Sequence, residues 1–154
     1  MTLRRLHCTL GAGGAAVLLA AVLGACGSSG PSPAFSRDFR AQESELNQLT
    51  RQLAGVIQTA RQQTDIQLAR QLGPLANRSE GVVRRLETLQ PPADLAIDFS
   101  TLRSALNRRV TDLRSIVAGL KAHNAAIARS ATQSLLVDSA SASTALRSID
   151  SKLG

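Results

Sequence analysis

Residues 93–122 read ADLAIDFSTLRSALNRRVTDLRSIVAGLKA, and this stretch decides the fold. Its large apolar side chains recur every three or four residues, which places them on one face of an α-helix. They are Leu95, Phe99, Leu102, Leu106, Val110, Leu113, Val117 and Leu120. No segment after residue 36 alternates at period two with the β-branched and aromatic residues of a strand. The stretch therefore predicts a long helix with one buried face in an all-α domain.

The same periodicity predicts three more helices, at about 36–62, 65–89 and 124–153. Their apolar positions are Phe39, Leu46, Leu49, Leu53, Val56 and Ala60, then Ile66, Ala69, Leu72, Leu75, Val82, Val83, Leu86 and Leu89, and finally Ile127, Ala131, Leu135, Ala142, Leu146, Ile149 and Leu153. The connections between the helices are short, so neighbouring helices should run antiparallel. The predicted fold is an all-α, antiparallel up-down four-helix bundle over residues 36–154.

Local signals define the helix boundaries. The pair Thr64-Asp65 is typical of a turn and helix N-cap, Pro91-Pro92 separates the second and third helices, and Asn124 is a candidate cap for the fourth. Gly73-Pro74 predicts a kink or a break in the second helix, because proline lacks the backbone donor and clashes with the preceding turn. An alternative division extends the first helix to Leu72 and starts a shorter one at Pro74.

The fourth helix offers few large side chains. Serines and alanines dominate it, and Asp138 falls near its apolar stripe. We therefore expect it to contribute least to the core.

A leader precedes the domain. Arg4 and Arg5 are followed by an uncharged, apolar run of 14 residues from Leu10 to Leu23. A transmembrane helix needs about 20 residues to cross the hydrocarbon. The length and the basic start instead indicate a signal peptide.

Leu23-Gly24-Ala25-Cys26 ends this leader, and GSSGPSP follows it at residues 27–33. The four residues resemble the lipobox of bacterial lipoproteins, with a branched apolar residue, two small residues and a cysteine. The resemblance implies acylation of the Cys26 thiol and cleavage before it. It also implies a lipid-anchored protein on the extracytoplasmic face of the cell membrane.

Cysteine usage bears on the same prediction. Cys26 could be an ordinary thiol, or could pair with Cys8, but Cys8 lies within the leader and would leave with it. An unpaired cysteine in an exported protein favours lipidation. The predicted division is a signal peptide at 1–25, an acylated cysteine and tether at 26–35, and the bundle at 36–154.

A second resemblance lies at the proline boundary. Residues 86–95 read LETLQPPADL, and such an L-x-x-L-x-P-P-x-x-L corner resembles one found in small actinobacterial lipoproteins with helical domains. The arginine-rich composition, with 14 arginines among the 16 basic residues of 26–154, fits the same group. The motif supports a bundle and implies no activity.

Side chains with catalytic or metal-binding chemistry are few. After the leader there is one histidine, His123, and none of the glutamates has a histidine three residues later, as a bundle metal site would require. No Gly-x-Ser-x-Gly, Ser-x-x-Lys or glycine-rich phosphate loop is present. The sequence predicts neither an enzyme nor a bound metal or cofactor.

The remaining chemical feature is basic charge. Residues 26–154 carry 16 Lys and Arg against 11 Asp and Glu. Four arginines on the polar sides of the predicted second and third helices are the candidate contacts for anionic lipid or a cell-wall polymer, namely Arg84, Arg85, Arg108 and Arg109. A merely solvated polar face is the simpler interpretation. Nucleic acid is a poor candidate, because stacking aromatics are lacking.

Two functions remain open at this point. The first is a non-enzymatic interaction or structural module of the cell envelope, with an envelope protein or an anionic surface as partner. The alternative is a bundle that binds a small apolar or lipid ligand between its helices.

Overall fold

The computed structural model of the chain describes residues 32–154. Four helices follow one another, α1 (Pro33–Thr59), α2 (Asp65–Glu87), α3 (Ala96–Lys121) and α4 (Ala125–Leu153), and a short 3₁₀ turn, Ala60–Gln62, continues α1. No strand occurs in this range. The predicted all-α, up-down four-helix bundle is confirmed.

Contacts between the ends of the chain show the antiparallel arrangement. Arg40, near the start of α1, forms an ion pair with Asp150, near the end of α4. Lys152 of α4 does the same with Asp98 at the start of α3. One end of the bundle therefore holds the starts of α1 and α3 and the ends of α2 and α4, and it is called here the near end. The opposite end is the far end.

The helix starts follow the expected capping chemistry. The Thr64 hydroxyl accepts the Gln67 backbone N–H, and the Gln67 side chain accepts the Thr64 N–H, which completes a capping box. Asn124 accepts the N–H of Ile127 at the start of α4. Both predicted caps are confirmed.

The first helix begins earlier than the sequence indicated. Ser32 accepts the N–H of Phe35, and Pro33 occupies the first helical turn, where its missing N–H is not needed. Phe35 is buried against Phe39 and Phe99, with ring centroids 5.8 and 5.7 Å away. Residues 33–35, predicted to belong to the tether, are thus the first turn of α1.

The second helix does not break at Pro74. It runs continuously from Asp65 to Glu87. Pro74 and Arg70 are both exposed, so the helical hydrogen bond that proline removes lies on the solvent-facing side of α2. Of the predicted kink or break, the break does not occur, and the alternative division at this proline is wrong.

Small residues bring α3 and α4 together, and no other pair of helices packs as closely. Ala131, Ala142 and Ala145 are buried on α4, beside Leu135 and Ile149. The small side chains that predicted a weak fourth helix therefore permit its close packing. The predicted core is otherwise largely confirmed, except that Ile66 and Ile127 are exposed.

Gly119 marks the point where these two backbones meet. A methyl group there would lie 2.8 Å from the backbone nitrogen of Ala128. We expect Gly119→Ala to lower the free energy of unfolding by about 1–3 kcal/mol, because α3 and α4 must separate. Urea unfolding of residues 32–154 measures this.

The matched control is Gly55→Ala on α1, where an added methyl group meets no atom within 4 Å. Alanine is the better helix former, so this variant should gain about 0.5–1 kcal/mol. Equal effects at the two positions would contradict the close approach of α3 and α4.

Candidate functional site

The four arginines singled out in the sequence do not form one surface. Arg84 is exposed and forms no ion pair with another residue of 32–154. Arg85 pairs with Glu45 and also donates to Gln42, which places it against α1. Arg108 lies on the opposite side of the bundle, against α4.

Arg108 belongs to a cluster of charges between α3 and α4. Its Nε lies 2.8 Å from Oδ1 of Asp138, which is buried. Burial raises the pKa of Asp112, and the neighbouring Asp138 raises it further. Arg108 is thus paired with a buried carboxylate, while its side chain remains about half exposed.

The placement of Arg109 on the polar side of the bundle was wrong. Arg109 is only 8% exposed. It lies seven residues after Leu102 and four before Leu113, both of which are buried, so the helical repeat turns it inward with them. An arginine in this position requires a partner inside the bundle.

The partner that Arg109 has is a single hydroxyl. Its Nη1 and Nη2 lie 3.4 and 3.3 Å from Oγ1 of Thr50, on α1, and its Nε has no partner among the described residues. Burial lowers the pKa of Arg109, and no described carboxylate offsets this effect. A guanidinium carries five N–H donors, and residues 32–154 supply acceptors for two of them.

An apolar cavity of about 160 Å³ lies towards the far end, and its lining includes Leu53, three residues after Thr50, and Leu113, four residues after Arg109. All four helices contribute to its lining, which includes Leu53, Ile57, Leu72, Leu113, Thr132 and Leu135. The cavity is comparable with engineered cavities of about 150 Å³ that admit benzene. It is the candidate binding site of the domain.

The cavity reaches the surface between α1 and α4. These two backbones hardly approach each other, whereas α1 packs against α2 and α4 against α3. Ile57 of α1 and Thr132 of α4 line the cavity and are also exposed. The Thr132 hydroxyl donates to the Ala128 carbonyl of its own helix, so it leaves the opening essentially apolar.

Basic residues without an ion pair gather at the far end. They are Arg61, Arg70, Lys121 and Arg129, which are exposed and pair with no carboxylate of residues 32–154. Asp65 at this end contacts His123, whose side chain is exposed in the α3–α4 turn. This cationic end was not predicted, because it assembles single residues from every helix.

The remaining predictions concern the leader with Cys26, metal ligands and membrane-spanning helices. Cys26 and the leader are not among the described residues. Within 32–154, no three His, Cys, Asp or Glu side chains come together as metal ligands would. None of the helices described is long and apolar enough to span a membrane.

The chain matches no protein-family model, no curated protein and no solved structure.

Proposed function

We propose that the protein is a lipid-anchored, non-enzymatic interaction or structural module of the cell envelope. Cleavage before Cys26 and acylation of its thiol would hold the bundle on the extracytoplasmic face of the cell membrane. The observation that carries the proposal is Leu23-Gly24-Ala25-Cys26, directly after a basic and apolar leader. Two acyl chains give stable attachment where one is marginal.

The position of α1 supports an arrangement that stands on the membrane. Ser32, which caps α1, follows Cys26 by six residues. Six residues span about 20 Å at most. The near end of the bundle would therefore face the lipid, and the far end would project about 40 Å beyond it, the length of a 27-residue helix.

Charge favours a partner on the far side. The exposed cations at the far end, Arg61, Arg70, Lys121 and Arg129, are matched by few carboxylates. An anionic cell-wall polymer or an acidic envelope protein would meet them there, whereas headgroups beside the anchor would not. Of the arginines first considered, Arg84 alone remains exposed and unpaired, and it lies at the near end, where anionic headgroups would be reached.

Incorporation of an alkyne-tagged palmitate in growing cells tests the anchor. We expect the label on the wild-type protein and on Cys8→Ser, because Cys8 lies in the leader, and we expect none on Cys26→Ser. Labelling of Cys26→Ser, or an unlabelled wild type, would refute acylation at this residue.

A second candidate function is favoured by the cavity. A bundle that holds a small apolar ligand needs an apolar space between its helices, and the cavity of about 160 Å³ provides one. Its size suits a small group or a short chain rather than a whole lipid. Native mass spectrometry of the purified protein would detect such a ligand as added mass, and a bare mass would argue against it.

A further inference from the structure

We infer that the seam between α1 and α4 binds a small anionic amphiphile, with its carboxylate against Arg109 and its short aliphatic chain in the apolar cavity. The inference rests on the second candidate function and adds the charge and the orientation of the ligand.

The charged end of the ligand is assigned from Arg109, which is buried and has few hydrogen-bond acceptors among the described residues. A buried charge is tolerated when ion pairs and hydrogen bonds compensate for its lost hydration. Arg109 has two long contacts, both to the Thr50 hydroxyl, and its Nε has none among residues 32–154. The Thr50 hydroxyl donates to the Leu46 carbonyl 2.9 Å away, so its oxygen can accept from Arg109 but is a single neutral acceptor. A carboxylate would supply the acceptors that the described residues do not.

Arg109 and Thr50 lie on the same helices as residues that line the cavity, and close to them along the chain. Thr50 precedes the lining residue Leu53 by three residues on α1, and Arg109 precedes Leu113 by four on α3. One helical turn rises about 5.4 Å, so the backbone positions of Thr50 and Arg109 lie about one turn from those of Leu53 and Leu113. A polar group and an apolar space are thus adjacent along a single seam.

A ligand can reach both the Arg109–Thr50 contact and the cavity from the surface. Thr50 is exposed although Arg109 is buried, so the point where they meet lies close to the surface of the seam. Ile57 and Thr132 are exposed at the cavity opening on the two sides of the same seam. An elongated ligand can therefore lie along the seam with its charged end at Thr50 and its chain turned inward.

The chemical class of the ligand follows from the arginine at its charged end and from the volume of the cavity at its apolar end. The planar fork of arginine matches the two oxygens of a carboxylate and donates two parallel hydrogen bonds to it. The cavity volume corresponds to about six carbon atoms, by comparison with cavities that admit benzene. Short-chain monocarboxylates such as hexanoate combine the two features.

Calorimetric titration of the full-length mature protein in lipid nanodiscs tests the inference, with empty nanodiscs as the blank. The probes are hexanoate, uncharged hexanol and acetate, which lacks the chain. We expect hexanoate to bind about 10- to 100-fold more tightly than hexanol, as a charged hydrogen-bonded contact contributes. Acetate should not bind measurably.

Arg109→Gln should reduce hexanoate affinity to that of hexanol and leave hexanol affinity unchanged. Arg147→Gln is the matched control and should bind as the wild type does, because this exposed arginine contacts only its own helix among the described residues. Thr132→Leu, which fills the opening without removing a buried hydrogen bond, should weaken both ligands.

Three other outcomes would overturn the inference in whole or in part. Equal affinity of the wild type for hexanoate and hexanol would overturn the role of Arg109 and leave the apolar cavity as a binding site. Hexanoate affinity that survives Arg109→Gln would do the same. Absence of binding by both ligands would overturn the cavity as well, and none of these results bears on the anchor at Cys26.

Discussion

Cys26→Ser is expected to remove the protein from the membrane fraction almost completely. Each buried methylene of an acyl chain contributes about 0.8 kcal/mol to membrane binding, so loss of the proposed acylation site would remove the whole anchor. None of the helices within 32–154 could span the membrane in its place. The protein should appear in the soluble fraction, or accumulate as a precursor that keeps its leader.

Immunoblots of fractionated cells measure this, and electrophoretic mobility separates the precursor from the mature chain. Cys8→Ser is the control, because it makes the same substitution within the leader and should leave both fractionation and mobility unchanged. A Cys26→Ser protein that is processed normally and stays in the membrane would contradict the proposed anchor.

Arg109→Met is expected to raise the free energy of unfolding by about 1–3 kcal/mol. The guanidinium is buried without a carboxylate partner, and well-packed apolar residues commonly stabilise a fold when they replace buried charge. Methionine retains much of the length and packing of the arginine stem. Thr50 loses no essential partner, since its hydroxyl donates to the Leu46 carbonyl.

Urea unfolding of residues 32–154 gives the midpoint and the slope, and an unchanged slope would assign the shift to stability. The control, Arg84→Met, replaces an exposed arginine and should change stability by less than about 0.5 kcal/mol. A marked loss of stability in Arg109→Met would mean that the guanidinium holds the core together. A gain would fit a residue retained for binding at the expense of stability.

Periodicity and capping made most of the fold predictable. The apolar repeat defined the four helices, and the caps at Thr64 and Asn124 were recognisable because short polar side chains satisfy the first free N–H groups of a helix. The early start of α1 was missed, since Ser32-Pro33 was interpreted as part of a tether. That Ser-Pro pair before Phe35 was the available signal.

The candidate site was harder to predict, because it depends on contacts between distant residues. Arg109 was assigned to the polar side from its charge, although its spacing from Leu102 and Leu113 placed it on the apolar stripe. Thr50 carried no signal of its own. The cavity arises from the separation of α1 and α4, which a single sequence does not encode at any one position.

The most direct test of the account is the intact mass and fragmentation of the N-terminal peptide from the protein isolated from its own membrane. We predict a chain that starts at Cys26 and carries a diacylglyceryl group on the thiol. A free thiol at that position, a different first residue, or a retained leader would contradict it.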